Sequence, residues 1–249
     1  TNIHAVDNAS QLALKLGIPL FHVSTAYVAG DPNLGSVLAQ DLQLGQQLRN
    51  AYERSKYEAE IHVRATDGLE YCIVRPSVLV GDSKVVGIPP PMGFYLGVRG
   101  IQQAKAWLEK KAGLPHLKPT LQMAGNPLGT LNLIPVDLAA RQLADLVKAN
   151  ARGCYHLVNE HPPTVQEVMA AVSRVMEADI QIVPDLESNP AERLLVLLLR
   201  NLIPYVQGEP VFRNDNIWPL TQARCQGLDP EFIEATTRHF LRTKGERDA

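Results

Sequence analysis

Cysteine is scarce in these 249 residues: Cys72, Cys154 and Cys225 are odd in number and far apart. No Cys-x-x-Cys pair and no zinc-like Cys/His spacing occurs, so neither a disulfide framework nor a metal site is expected. A reducing, cytoplasmic setting fits that usage. Charge of one sign is missing too. The 24 basic side chains face 26 acidic ones, a formal net charge of −2, so no basic field draws in nucleic acid or an anionic membrane. Long apolar runs are also absent. The longest, Leu194–Leu199, stops at Arg200, far short of the roughly 20 residues that span a bilayer. It reads as a core helix, with a peripheral membrane contact by residues 191–203 left open. Residue 1 is a threonine, and the opening segment has neither the charged start nor the apolar centre of a secretory signal.

What remains is ordinary globular composition, 45% hydrophobic and 20% charged, with length for one large domain or two small ones. Ile3, Val6, Leu12 and Leu16 recur at helical spacing, and Gly17 and Pro19 follow as stop signals. Residues 20–24 read as a short buried strand, and a Gly-, Asp-, Asn- and Gln-rich loop runs from about Gly30 to Gln47. A helix is expected over 51–66, with Glu53, Glu58 and Glu60 on a solvated face. Tyr71–Val74 is a second buried strand ending at Arg75-Pro76. Strand, helix, strand in this order predicts a βαβ unit and a parallel sheet. Further on, helices are expected at 100–112, 136–149, 164–177, 191–203 and 229–242, and strands near 131–135, 154–158 and 180–183. Prolines at 89–91, 162–163 and 184–190 mark joints.

Tyr52 and Lys56 lie four residues apart, so both leave one face of the helix over 51–66. An ammonium beside a phenol favours the phenolate and lowers the tyrosine pKa, which suits proton transfer during carbonyl chemistry. Spacing alone says little, because an amphipathic surface helix often carries such a pair. Its neighbours give it meaning. Ser24-Thr25 closes the preceding strand and Arg75-Pro76-Ser77 closes the next. Open α/β sheets bind ligands at those C-terminal strand ends, and a hydroxyl there can share in stabilising charge on a reacting oxygen.

These segments carry a resemblance. Phe21-His22-Val23-Ser24-Thr25-Ala26-Tyr27-Val28-Ala29-Gly30, Asn50-Ala51-Tyr52-Glu53-Arg54-Ser55-Lys56-Tyr57-Glu58-Ala59-Glu60 and Ile73-Val74-Arg75-Pro76-Ser77-Val78-Leu79-Val80-Gly81-Asp82 resemble three signature segments of the extended short-chain dehydrogenases/reductases. Asn132–Ala139, with Asp137, and Gly153–Asn159 resemble two later ones. The wording Tyr-Glu-Arg-Ser-Lys-Tyr-Glu-Ala-Glu is most similar to the thioester-reductase and fatty-acyl-reductase branch.

The resemblance implies an α/β fold, a Rossmann-like parallel sheet with a smaller C-terminal substrate-side lobe. Residues 1–87 and 127–160 would form the catalytic part, and 88–126 and 161–249 the lobe. It implies a catalytic trio of Thr25, Tyr52 and Lys56, and cofactor contacts from Ser24, Tyr52, Lys56, Pro76, Ser77 and Val78. NADP(H) is expected in preference to NAD(H), with an acyl thioester or aldehyde as the small-molecule substrate, and a homodimer is allowed. One departure stands out. The family opens on a Gly-rich turn that cradles the cofactor pyrophosphate, and no Gly-x-x-Gly-x-x-Gly occurs here. The N-terminal half of the Rossmann sheet is therefore expected to be absent, which makes this stretch alone a poor catalyst. Nucleotide-sugar epimerases and hydroxysteroid dehydrogenases share the trio, and a non-catalytic fragment or interaction module stands as a further alternative.

Overall fold

The computed structural model describes residues 2–30, 35–84, 93–114, 116–184 and 203–245. The Leu194–Leu199 run, the helix expected from 191 and the prolines at 89–91 lie outside the described residues. In chain order the elements begin α1 (Asn2–Leu16), β1 (Leu20–Val23), a 3-10 turn (Ala26–Ala29), β2 (Ser36–Val37), α2 (Ala51–Ala65), β3 (Tyr71–Pro76) and β4 (Val78–Val80). They continue with α3 (Phe94–Ala112), β5 (Thr120–Ala124), β6 (Leu133–Pro135), α4 (Val136–Lys148), β7 (Gly153–Leu157), α5 (Val165–Met176) and β8 (Asp179–Val183). The last are β9 (Val211–Phe212) and α6 (Pro230–Gly245). The fold is α/β with parallel strand pairing, as expected.

The elements divide into two compact units. The first comprises Thr1–Ser77, Leu138–Glu160 and Pro210–Cys225. Its centre is a three-stranded parallel sheet in the order β1-β3-β7. Leu20 to Val23 pair with Tyr71 to Val74, and Cys72 to Pro76 pair with Gly153 to Leu157. The expected strand–helix–strand unit is thus β1–α2–β3. Every β3 residue from Cys72 onward is buried, which is why that strand reads as a continuous run rather than an alternating one. On one face, Val6 and Ala13 of α1 and Ala59 and Val63 of α2 pack with Ile73 and Cys154. Helix α1 stops at Gly17, whose φ of +62° suits glycine. Gly17 N–H donates to Leu14 O and Ile18 N–H to Ala13 O, both at 3.1 Å, closing a Schellman turn.

Residues 210–225 belong to this sheet unit, whereas the boundaries drawn on the sequence put them in the lobe. Ser36 and Val37 pair with Val211 and Phe212, and Asn216 Nδ2 donates to Cys154 O at 2.8 Å. Two-residue strands pairing across such a sequence distance leave no periodic pattern. The first boundary also differs, falling after Ser77.

The second unit comprises Val78–Asp137, His161–Glu209 and Gln226–Ala249. Two parallel pairs, β4 with β6 and β5 with β8, share it with α3, α5 and α6. Val98, Ile101, Leu121, Val172, Ile180 and Ile233 are among its core residues. Helix α5 begins with a capping box: the Thr164 hydroxyl accepts from Glu167 N–H, and the Glu167 carboxylate reaches back to Thr164 N–H. The three thiols, Cys72, Cys154 and Cys225, are buried and joined by no disulfide. No helix among the described residues is long and apolar enough to cross a membrane.

Candidate active site

Strand β1 ends at Val23, and Ser24 N–H still donates to Val74 O at 2.8 Å. Thr25 then leaves the sheet in extended conformation and caps the short 3-10 turn, its hydroxyl accepting from Tyr27 N–H at 3.3 Å. The same hydroxyl points at the end of the neighbouring strand, donating to Pro76 O at 3.5 Å. Thr25 is buried, and its Oγ1 is held by main chain of the 3-10 turn and of the end of β3.

Helix α2 supplies the other members. Its N-cap is Asn50, whose side chain accepts from Glu53 N–H at 2.9 Å. Tyr52, Lys56 and Glu60 follow at successive helical turns on one face. Lys56 Nζ donates to Val23 O at 3.0 Å, across from the end of β1. The Tyr52 phenol lies close enough to the Thr25 hydroxyl for that group to favour its ionised form. The structure therefore brings Thr25, Tyr52 and Lys56 together at the C-terminal ends of β1 and β3.

The electrostatics differ from the expectation that Lys56 draws the Tyr52 pKa down. Tyr52 lies above the usual tyrosine value, because burial of the phenol end and the Glu53 carboxylate raise it while the Thr25 hydroxyl lowers it. Lys56 spends its ammonium on Val23 O. The Tyr52 residue as a whole is 48% exposed. Burial lowers the Lys56 pKa, and Glu60 raises it. His22, on β1, is pushed down by burial first and by Lys56 second.

The remaining predicted contacts are spread along the same strand ends. Ser24 is buried and its hydroxyl is turned toward Glu60 without forming a well-directed hydrogen bond. Pro76 is buried at the end of β3. Ser77 N–H donates to Leu157 O at 3.1 Å, while its Oγ is buried without a partner. Val78 opens β4 in the second unit, where its N–H donates to Asn132 O at 3.1 Å.

The solvated face expected of Glu53, Glu58 and Glu60 is corrected at two of its three members. Glu53 and Glu60 are both 0% exposed. Glu53 pairs with Arg49 at 3.0 Å and also accepts from Arg49 N–H at 2.8 Å. Glu60 takes a two-pronged bond from Arg75, Nε to Oε1 at 2.9 Å and Nη2 to Oε2 at 2.7 Å. Arg64 adds a longer contact to Oε2 at 3.3 Å. Burial alone would raise the Glu60 pKa, but the Arg75 fork, with Ser24 and Arg64, holds it below the usual carboxylate range. A buried charge survives only when paired in this way. Sequence spacing gave no sign of the pair, because Arg75 lies 15 residues from Glu60 on another element.

With the geometry in view, comparison supplies the kinship. Residues 1–143 match the NAD-binding family described as Male sterility protein. The chain belongs to that family. It is the male-sterility-type branch of the extended short-chain dehydrogenases/reductases to which the sequence resemblance pointed. The matched stretch contains Thr25, Tyr52, Lys56 and the strand end at Pro76. No curated protein matches the chain. Among solved structures, the terminal R domain of the myxalamid PKS-NRPS biosynthetic pathway is similar, with 21% identity and a TM-score of 0.71. The alignment covers 97% of this chain and 63% of the R domain, so the chain spans less than two thirds of that relative's length. RMD from Pseudomonas aeruginosa, complexed with NADPH, is 16% identical with a TM-score of 0.60, over 99% of this chain and 73% of its own. The dTDP-glucose 4,6-dehydratase of Bacillus anthracis, in complex with NAD, is 14% identical with a TM-score of 0.63, over 98% and 69%. At these identities the likeness is one of fold.

Proposed function

We propose that the protein is an NAD(P)H-dependent oxidoreductase that reduces the carbonyl of an acyl thioester or aldehyde, with NADPH as its preferred cofactor. The observation that carries this reading is the meeting of the Thr25 hydroxyl, the Tyr52 phenol and the Lys56 ammonium at two parallel strand ends. Membership of the male sterility family, with the resemblance of the Tyr52–Glu60 helix to its thioester-reductase branch, supports a thioester over a nucleotide sugar.

The residues present fit a nicotinamide riboside. Lys56 reaches across the end of β1, and the buried Ser24 and Ser77 hydroxyls lack well-directed partners at neighbouring strand ends. Lys56 would hold the ribose, with Ser24, Pro76 and Ser77 lining the nicotinamide side. Since no Gly-x-x-Gly-x-x-Gly occurs, pyrophosphate contacts fall to no residue of this chain. When bound, the cofactor supplies a hydride to the carbonyl carbon.

The protein's own part is proton management. Thr25 and Tyr52 grip the carbonyl oxygen with two hydrogen bonds, and Tyr52 gives it a proton as negative charge develops there. An aldehyde thus becomes an alcohol, whereas a thioester becomes a hemithioacetal whose C–S bond then breaks, the thiol leaving with the hydroxyl proton as the aldehyde forms. A phenol whose pKa is raised is fully protonated at neutral pH and ready to act as the acid. Lys56, one turn away, then stabilises the phenolate left behind. The test is NADPH consumption by the full-length protein against fatty acyl thioesters, long-chain aldehydes and nucleotide sugars. Turnover on the first two supports the reading, and turnover on nucleotide sugars alone refutes the substrate class.

A further inference from the structure

Tyr52, Lys56 and Glu60 form one stripe on α2, yet the proposed chemistry uses only the first two. Glu60 is the member most firmly held. Both its oxygens are engaged by Arg75, and both side chains are fully buried. Arg75 has a third bond, Nη1 to Asp41 O at 2.7 Å, which ties in the loop before α2. The residue after Arg75 is Pro76, whose carbonyl receives the Thr25 hydroxyl. A planar guanidinium fork on a carboxylate fixes both distance and orientation, which a single charge contact does not.

We infer that Glu60 is a positioning residue of this site: through its fork with Arg75 it sets the Tyr52/Lys56 face of α2 against the strand end that holds Thr25. The inference rests on the proposed roles of Thr25, Tyr52 and Lys56. One ion pair thus joins the helix carrying the phenol and ammonium to the strand carrying the acceptor of the third group. A second consequence concerns charge. Arg75 from β3 and Arg64 from α2 bond Glu60, and Lys56 of α2, His22 on β1, His156 on β7 and the Asp41 carboxylate complete the charged and titratable groups around the pair. The Glu60 carboxylate offsets the burial that lowers the Lys56 pKa, and its loss removes that offset. A pair that only held the fold together would stabilise the protein without governing the protonation of Lys56.

The test is the titration of Lys56, followed by NMR of the Cε resonance in lysine-labelled protein and assigned by its loss in Lys56→Arg. It is run on wild type, Glu60→Asp and Glu60→Gln. Removing a carboxylate about one helical turn from an ammonium lowers its proton affinity by about tenfold. The expected order of Lys56 pKa is wild type, then Glu60→Asp, whose carboxylate is retracted by one methylene, then Glu60→Gln, about one pH unit below wild type. In the reductase assay kcat should fall in the same order, with KM for the substrate little changed. Coincident Lys56 titrations in wild type and both variants overturn the inference. Should Glu60→Gln fail to fold, Glu60→Asp decides alone: a lowered Lys56 value supports the inference, and an unmoved one refutes it. The titration needs neither cofactor nor substrate. A protein without reductase activity but with the ordered titrations would sink the proposed function and leave the anchoring intact.

Discussion

Replacing Arg75 with leucine removes one half of the fully buried pair and leaves the Glu60 carboxylate in the interior. Breaking a buried pair in this manner costs about 3–5 kcal/mol. Arg64 still touches Glu60 at 3.3 Å, so the lower end, about 3 kcal/mol, applies near pH 7. For a chain of this size each kcal/mol moves the midpoint by about 2–4 °C, so melting should fall by about 10 °C. The pH dependence gives a sharper check. In wild type the Glu60 pKa is held down by Arg75. Its contribution is therefore complete above the unfolded value of about 4.3 and is lost as pH falls through the lower folded value. In the variant burial dominates and the folded pKa rises above the unfolded one, so destabilisation grows as pH climbs from about 4.3. Urea unfolding followed by circular dichroism at pH 4.5, 5.5 and 7 should show the gap from wild type widening with pH. Adding Glu60→Leu to Arg75→Leu should recover much of the loss, since the stranded charge is gone. A deficit under about 1 kcal/mol at pH 7, or one equal at all three pH values, would refute the argument.

Lys56→Ala should weaken NADPH binding as well as turnover, because the proposed ribose contact and the counter-charge for the phenolate are lost together; fluorescence titration of NADPH checks the first and steady-state kinetics the second. Gly30→Ala should cost more than about 2 kcal/mol in urea unfolding, since φ is +67° and an added Cβ would collide with the Gln47 carbonyl oxygen. Tyr95→Phe should cost about 1–3 kcal/mol by the same measure. The Tyr95 hydroxyl accepts from Gly81 N–H at 3.0 Å and hydrogen-bonds the Thr236 hydroxyl, and both partners would be left buried and unpaired.

The elements around the site were legible because their signals are local. A Ser24-Thr25 strand stop, a helix with a four-residue Tyr/Lys spacing and an Arg-Pro strand stop each declare themselves within a dozen residues. Strand β1 is nevertheless not the buried strand expected, since Leu20 and Phe21 are half-buried and Val23 is exposed. Strand β5 was not foreseen. Thr120-Leu121-Gln122-Met123-Ala124 buries only Leu121 and Met123, and its partner β8 lies 59 residues on. Glu60 was misread for the same kind of reason. An acidic residue among charged neighbours on a helix is usually solvated, and only the fold brings Arg75 to it. The protonation of Tyr52 was misjudged because desolvation depends on what surrounds the phenol, and spacing to Lys56 carries no information about that. Thr25, by contrast, was readable at the end of β1, although its bond to Pro76 O needed the parallel register of β1 and β3.

The central claim is that this protein delivers a hydride to a carbonyl carbon while Tyr52 delivers the proton. The most direct measurement supplies the full-length protein with NADPH deuterated at C4 and a fatty acyl thioester, then follows deuterium into the product by mass spectrometry for wild type and Tyr52→Phe. The account predicts one deuterium on the former carbonyl carbon for each hydride delivered in wild type, one in an aldehyde product and two in an alcohol. It also predicts a rate lower by about 10²–10⁴ in Tyr52→Phe, whose melting temperature should match wild type because the ring is kept. Product without deuterium, or Tyr52→Phe turning over at the wild-type rate, would contradict it.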